Sequence, residues 1–387
     1  MTNEMRNVPE LRFPEFDGEW EERKIGNYIV EIKKYDTQQH SSYSVATSSR
    51  RGLFKQAEYF DGNRVFSDKE VLYSVVPPNT ITYRHMSDDN IFKFNINSFN
   101  ESVLVSREYP VFDVNDYADK NFVFYELNNS SNFLKFCIKQ KKGGTRTRLY
   151  FKVLENYETF YPEKTEQQKI GEFFSKLDRQ IELEEQKLEK LEKQKKGYMQ
   201  LIFSQQLRFK DENGEKFPDW QTTTLGQLSD ITTGSLDANA MVPNGKYKFF
   251  TCARETYQID KYAFDTEALL ISGNGANVGY IHYYKGKFNA YQRTYVLDNI
   301  QNNINFIKYY LERYLIKRIY SEKRDGNTPY ITRSTLYDMS ISIPLAKLEQ
   351  MKISRFLTKL DNKIQNQSDK VELLKERKKG FLQKMFV

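Results

Sequence analysis

The chain has 387 residues, enough for two or three domains that each bury a core, and its 39% hydrophobic and 29% charged content is that of an ordinary globular protein. A formal charge of +7 and a pI near 8.9 favour a polyanionic partner without requiring one, and 27 Tyr with 28 Phe make the chain aromatic-rich. Only two cysteines, Cys137 and Cys252, rule out a disulfide framework and a four-cysteine zinc site. No run of 18 apolar residues occurs, the mean hydropathy is −0.73, and the opening MTNEMRNVPE has no apolar signal core, so no membrane partner and a cytoplasmic location are expected.

In chain order, the first landmark is Trp20-x4-Ile25-Gly26, followed by Tyr43-x3-Thr47-x2-Arg50. Runs at 71–76, 81–83 and 103–105 predict short strands, set apart by turn signals such as Asp61-Gly62-Asn63 and Pro77-Pro78-Asn79. A helical stretch follows near 122–140. Residues 166–203 then place Ile170, Phe174, Leu177, Ile181, Leu188, Leu191, Tyr198 and Ile202 at heptad spacing, with Glu184 and Lys195 as polar seam positions. That pattern predicts one long helix.

The same landmarks then return. Trp220-x4-Leu225-Gly226 and Tyr247-x3-Thr251-x2-Arg254 precede strand-like runs at 268–271, 280–284 and 294–297 and a helical stretch near 304–321. A second heptad helix at 349–386 carries Ile353, Leu357, Leu360, Ile364, Val371, Leu374, Phe381 and Met385, interrupted by Gln367 and Lys378. KIGEFFSKLD at 169–178 becomes KISRFLTKLD at 352–361, and 166–203 aligns on 349–386 without a gap, with 17 identities in 38 pairs. Gly144 to Pro162 also spans the same length as Gly326 to Pro344. The chain reads as one unit written twice: a first globular domain at 1–163, a helix at 164–205, a second domain at 206–345 and a helix at 346–387. Short strands mixed with a helix in each globular part predict an α+β class with a pseudo-two-fold internal repeat.

Several enzyme signatures nearly form and fail. Gly273-Asn274-Gly275-Ala276-Asn277-Val278-Gly279 follows a strand, but its third glycine falls one residue late for a dinucleotide cradle and no good helix follows. Gly286-Lys287 is followed by Phe288 rather than Ser or Thr, which removes the phosphate-binding loop. Pro77-Pro78-Asn79 has the letters of an adenine-methyltransferase motif in the wrong order, and Pro218-Asp219 lacks the residues that would complete a nuclease metal site. His40, His85 and His282 have no metal-ligand spacing. No catalytic residue, cofactor site or metal site is expected.

Basic residues set beside glycine, threonine, amides and aromatics are the better signal. The first copy offers Arg50, Arg51, Arg84 and the run 141–148 with Lys142, Arg146 and Arg148; the second offers Arg254, Arg293 beside Gln292, Arg324 and Arg333. Backbone N–H groups and hydroxyls in such loops reach phosphates, and arginine can bridge guanine O6 and N7 in the major groove. A 38-residue helix is about 57 Å long against about 34 Å for one turn of B-DNA, so two binding units at its ends would meet separate stretches of one duplex.

With these residues in view, the chain resembles the specificity subunits of type I restriction–modification systems. The resemblance rests on the doubled E-Q-x-K-I-x-x-F-F/L-x-x-L-D-x-x-I helix start at 166–181 and 349–364, the K-K-G-aromatic helix end, and the doubled Trp-x4-[Ile/Leu]-Gly, and it covers essentially the whole chain. It implies two target recognition domains, each reading half of a bipartite asymmetric DNA site, separated by two long antiparallel coiled-coil helices. It further implies a non-catalytic chain that carries two modification subunits, which methylate adenine with S-adenosylmethionine, and two ATP-driven translocase–nuclease (restriction) subunits. S-adenosylmethionine, ATP and Mg2+ would be bound by those partners and none by this chain. Alternatives are a coiled-coil protein scaffold without DNA readout and the specificity chain of a methylation-only defence system.

Antiparallel pairing of the two seams predicts that facing residue numbers add to about 562, matching Ile181 with Phe381, Leu188 with Leu374, Leu191 with Val371 and Tyr198 with Ile364. Glu184 would then face Lys378, and Lys195 would face Gln367. Because every nucleotide, metal and methyl-donor signature fails, the purified chain alone should neither cut nor methylate DNA. Methyl transfer above that of a heat-killed control is the measurement that checks this.

Overall fold

The computed structural model describes residues 7–59, 70–141, 143–322 and 329–387. The turn Asp61-Gly62-Asn63, the candidate Lys142, and 323–328 with candidate Arg324 and landmark Gly326 lie outside the described residues. The chain divides into two compact units, Met1–Glu185 with Asp369–Val387, and Gln186–Ser368. The division runs through both long helices, so each unit consists of one globular half and half of each helix.

The first unit opens with β1 (Glu21–Lys24), β2 (Ile29–Glu31), β3 (Tyr35–Thr37), the hairpin β4 (Ala46–Ser49) and β5 (Gly52–Lys55), and α1 (Gln56–Tyr59). β6 (Leu72–Val76), β7 (Ile81–Tyr83), β8 (Met86–Ser87), β9 (Phe94–Ile96), β10 (Val103–Ser106) and β11 (Val111–Val114) follow. Then come α2 (Lys120–Asn129), α3 (Ser131–Lys139), β12 (Thr147–Arg148), α4 (Phe151–Leu154), β13 (Glu158–Tyr161) and the long α5 (Lys164–Phe203). The central sheet has the order β2-β11-β7-β9, and β1 pairs with β13. The helical stretch expected near 122–140 is two helices. Ser130 interrupts it in extended backbone, and its hydroxyl accepts from the N–H groups of Asn132 and Phe133 to cap α3.

The second unit contains β14 (Gln221–Thr224), α6 (Leu225–Leu228), β15 (Asp230–Thr233), β16 (Tyr247–Phe250), β17 (Tyr257–Ile259), β18 (Phe264–Ser272), β19 (Ile281–Ala290) and β20 (Thr294–Asp298). α7 (Ile304–Ser321), α8 (Arg333–Tyr337), β21 (Ser340–Ile343) and α9 (Lys347–Lys384) complete it and the chain. Its sheet runs β15-β20-β18-β19-β16-β17, and β14 pairs with β21. The first four strands repeat the order of the first unit's central sheet. One difference is legible in the chain. β18 is a continuous nine-residue strand, whereas Pro77-Pro78-Asn79, with Asn79 at φ 59, separates β6 from β7. Proline cannot donate to a ladder, so the ribbon splits into two sheets there.

Each long helix starts inside its own globular core. Ile170 and Phe174 are buried in the first core with Trp20, Phe122 and Tyr161, and Ile353, Leu357 and Leu360 are buried in the second with Phe306 and Leu336. Glu166, 2% exposed at its side chain, accepts both arms of the Arg12 guanidinium at 2.7 Å; Glu349 does the same with Arg208 at 3.1 and 2.9 Å. Gln167 accepts from Asp119 N and donates to Pro162 O, and Gln350 accepts from Asn303 N and donates to Pro344 O. The doubled Glu-Gln is therefore a docking element. The signal that sequence reading missed is the doubled Leu-Arg-Phe at 11–13 and 207–209, which supplies both arginines.

A second anchor repeats just below. The Tyr125 hydroxyl donates to Asp178 at 2.7 Å, and Lys378 from α9 reaches the same carboxylate at 2.5 Å. In the second unit the Tyr309 hydroxyl donates to Asp361 at 2.6 Å, and Lys195 from α5 reaches Asp361 at 2.6 Å and Glu312 at 3.3 Å. Each lysine also lies over the tyrosine ring, 5.4 Å and 5.2 Å from its centroid. Burial alone would push Lys195 down, yet the Glu312 and Asp361 carboxylates hold it above its ordinary range.

These anchors correct the seam register. The helices are antiparallel, but Phe381 packs on Phe173, Tyr198 on Phe356, and Glu184 takes Lys370 at 2.9 Å. With Lys378–Asp178 and Lys195–Asp361, these pairs add to about 555 in place of about 562, a slide of one heptad. Ile181, Glu184, Val371 and Leu374 are buried and Leu188, Leu191, Lys195, Tyr198, Ile364, Gln367, Lys378 and Phe381 half-buried. A heptad slide keeps seam positions on seam positions, so the pattern cannot choose between registers. The lysine–aspartate contacts choose.

Gly171 sits where α5 crosses the start of α2: a Cβ there would lie 2.3 Å from the Asp119 carboxylate and 3.0 Å from Phe122 N, whereas Gly197 and Gly380 face open space. Gly171→Ala should destabilise the protein by about 1–3 kcal/mol, while Gly197→Ala and Gly380→Ala should each stabilise it by about 0.5–1 kcal/mol. Thermal unfolding of the three variants checks the sign of each.

Candidate nucleic-acid interface

At the end of its central strand each unit has a cleft, and the chain that returns beside it is fixed in the same way in both units. In the first unit β7 ends at the fully buried Tyr83, and the returning chain is fixed there twice: Leu149 N donates to His85 O at 2.8 Å and the Tyr83 hydroxyl donates to Leu149 O at 3.0 Å. In the second unit Ile331 N donates to Gly273 O at 2.8 Å, and the Tyr295 hydroxyl donates to Ile331 O at 3.0 Å. In both, a short helix, α4 or α8, follows within two residues. The open space beside the strand-end loop is about 380 Å³ in the first unit, where the β4–β5 hairpin lines its other side, and about 580 Å³ in the second, where the returning segment at 329–331 does.

The linings differ in chemistry. The first cleft collects Arg50, Arg51 and Arg84 with Tyr59, Tyr109 and Asp88. Two of the neighbouring arginines are held by carboxylates, Arg50 by Asp89 at 2.5 Å and Arg146 by Asp88 at 2.8 Å. The Ser87 hydroxyl and then Arg50 keep Asp89 below its usual carboxylate range. Arg51 lies over the Tyr59 ring at 5.1 Å. Arg148 is exposed on β12, next to Thr147, which is buried. Beneath it, His85 is buried and stacked on Tyr150 at 5.4 Å, and burial pushes its pKa down, so it is neutral at pH 7. Arg50, Arg51, Arg84, Arg146 and Arg148 thus converge around β8 although they come from three separate stretches of chain.

The second cleft is lined by Gly273, Asn274, Gln292, Arg293 and Tyr330. Arg293 is exposed, and its carbonyl accepts from Gly273 N at 2.9 Å and Cys252 Sγ at 3.4 Å. A Cβ at Gly273 would come 2.4 Å from that same carbonyl, so only glycine allows the loop to close on the Arg293 turn. Arg254 stands two residues beyond Cys252, exposed over the Tyr280 ring at 5.5 Å. Arg333 is exposed at the first turn of α8, behind the Thr332 cap, and does not line the cleft. The glycine-rich stretch that fails as a cofactor cradle forms one wall of this cleft.

The described residues contain no group of three His, Cys, Asp or Glu placed to hold a metal, and no helix long and apolar enough to cross a membrane. What the clefts offer is hydrogen-bonding: exposed guanidinium and amide donors, carboxylate and amide acceptors, and aromatic faces. That is the vocabulary for reading base edges and backbone phosphates.

A duplicated chain whose two halves present dissimilar clefts on one scaffold defines a class of two-part recognition proteins. The sequence profile of the type I restriction modification DNA specificity domain matches residues 18–193 and 218–376. The chain belongs to that family. The type I restriction enzyme EcoDI specificity subunit of Escherichia coli is 41% identical over 165 residues, covering 43% of this chain and 36% of that relative. The MjaVIII specificity subunit of Methanocaldococcus jannaschii is 25% identical over 318 residues, 73% of each chain. The crystal structure of the S subunit of a type I system from M. genitalium is alike in fold, with a TM-score of 0.67 over 98% of this chain and 99% of that one at 16% identity.

If Arg254 and Arg293 meet DNA, Arg254→Ala and Arg293→Ala should each weaken duplex binding and lower the salt dependence of the affinity by about one unit of slope if they contact phosphate. If they contact bases, each should instead cost about 1–3 kcal/mol on the cognate site alone. Binding titrations at several salt concentrations, on cognate and scrambled duplexes, separate the two.

Proposed function

We propose that this chain selects the DNA sequence for a type I restriction–modification complex, each unit reading one half of a bipartite asymmetric site. The observation that carries the reading is the pair of clefts, each beside the loop that follows the central strand of the same strand order, near the same hydrogen-bonded return, and different in lining. Shared scaffold with divergent contents is what reading two different half-sites demands, since the geometry of DNA repeats while its base sequence does not.

In this reading the long helices set the spacer and dock two modification subunits, and two translocase–nuclease subunits complete the complex in the cytoplasm. S-adenosylmethionine, ATP and Mg2+ belong to those partners, which perform adenine methylation and cleavage. Exposed arginines near phosphates supply sequence-independent affinity, and side chains in the clefts supply discrimination.

Exchanging residues 206–345 for the matching segment of a relative should change one half of the methylated site and leave the other half intact. Methylome sequencing of cells carrying the exchanged chain with its partner subunits reads this directly. Change in both halves would refute the modular assignment. DNA binding by the chain that is indifferent to salt would favour a protein-only scaffold instead.

A further inference from the structure

Among the described residues, Arg84 is an exposed cation of the first cleft that neither a carboxylate nor an aromatic ring engages. Arg50 and Arg146 are each paired, and Arg51 lies over Tyr59, while among the described residues no ion pair or hydrogen bond engages the Arg84 guanidinium. Its backbone is nevertheless held between two anchored neighbours. It stands exposed between Tyr83, fully buried and bonded to Leu149 O, and His85, 2% exposed and stacked on Tyr150. The strand pleat turns Tyr83 and His85 inward and Arg84 outward into the cleft. An unpaired arginine on a rigid mount loses little freedom when it binds, which suits it to contact with a fixed planar acceptor.

The second element is Asp88, four residues further along the same strand-end segment and also lining the cleft. Its side chain is 67% exposed and carries one bond, from Arg146 Nε at 2.8 Å, which leaves an oxygen to accept. Asp89 differs, because its Oδ1 already accepts from Arg50, Ser87 Oγ and Ile91 N. In the major groove a G·C pair presents two acceptors, guanine O6 and N7, beside one donor, cytosine N4. A free guanidinium beside a free carboxylate oxygen is the complement of that pattern.

Resting on the proposed DNA-reading function, we propose that Arg84 and Asp88 together read one G·C pair in the half-site of the first unit, Arg84 contacting guanine O6 and N7 and Asp88 accepting from cytosine N4. The pair discriminates because A·T turns the adenine N6 donor toward the guanidinium and the thymine O4 acceptor toward the carboxylate, setting like against like. Loss of one bidentate contact of this kind lowers preference for the right base by about tenfold or more.

The test is methylome sequencing of cells expressing Arg84→Ala or Asp88→Asn in the full chain with its partner subunits, beside the 206–345 exchange in the same background. The expected result is that both substitutions degrade the same single G·C position, by about tenfold or more in relative methylation, in the half that the exchange leaves unchanged. An unaltered motif, degradation of an A·T position, or degradation of different positions by the two variants overturns the assignment. Uniform loss of methylation at every site, with the melting temperature of the purified chain unchanged, also overturns it, because that is the signature of a phosphate contact. Should Arg84→Ala unfold the protein, Asp88→Asn and Arg84→Lys carry the same reading. If instead the exchange alters both halves, the proposed function falls, whatever the point variants show.

Discussion

The contact on which the rest depends is made at two aspartates. Asp178 and Asp361 each accept from a tyrosine of the globular half in which their helix begins and from a lysine near the far end of the other long helix. One carboxylate thus joins three elements: the start of one long helix, the end of the other, and the domain helix that carries the tyrosine. A half-buried charged hydrogen bond of this kind is worth about 1–2 kcal/mol after solvent screening, so its weight lies in choice of geometry more than in stability. Two heptad seams can slide past each other by seven residues with little change in apolar contact, and only a polar contact with a single acceptable partner prevents it.

The carboxylate–arginine pairs about three turns earlier in each helix do a different job. Glu166 and Glu349 are almost fully buried, each gripped by both arms of one guanidinium. Removing either arginine would strand a buried charge, which typically costs about 3–5 kcal/mol. Together with the Gln167 and Gln350 bridges, these pairs fix where each long helix leaves its globular half. The anchoring is made of buried, bidentate and bridging contacts at one end of the central sheet, and the clefts lie at loops elsewhere on it. Cleft residues can therefore change without loosening the stem. That separation is the physical basis for two halves that share a skeleton and differ in lining.

The strand order repeats even where the strand lengths do not. Pro77-Pro78 divides in the first unit what is one nine-residue strand in the second, and Ser130 divides the domain helix that runs uninterrupted from Ile304 to Ser321. Both are local decisions by residues that remove a donor or offer a cap, and neither disturbs the anchors. The cleft of the second unit depends on Gly273 for its close approach to the Arg293 turn.

The sequence by itself determined the duplication, the two long helices, the mixed class of the globular halves and the type of residue that lines the clefts, because heptad spacing, turn residues and repeated motifs are local signals. It placed strand 81–83 where it is found and singled out arginines that the fold gathers at the clefts. Only the tertiary structure decided the seam register, because apolar periodicity has the same energy after a slide of seven. Likewise, nothing local reveals that Arg50 and Arg146 are held by Asp89 and Asp88 while Arg84 is left open. Those partners are distant in the chain and become neighbours only when the strands pair. The doubled Leu-Arg-Phe stood in plain view, yet its meaning required seeing a buried glutamate at the start of each helix, since an arginine beside a phenylalanine says nothing of its partner until burial makes that partner obligatory.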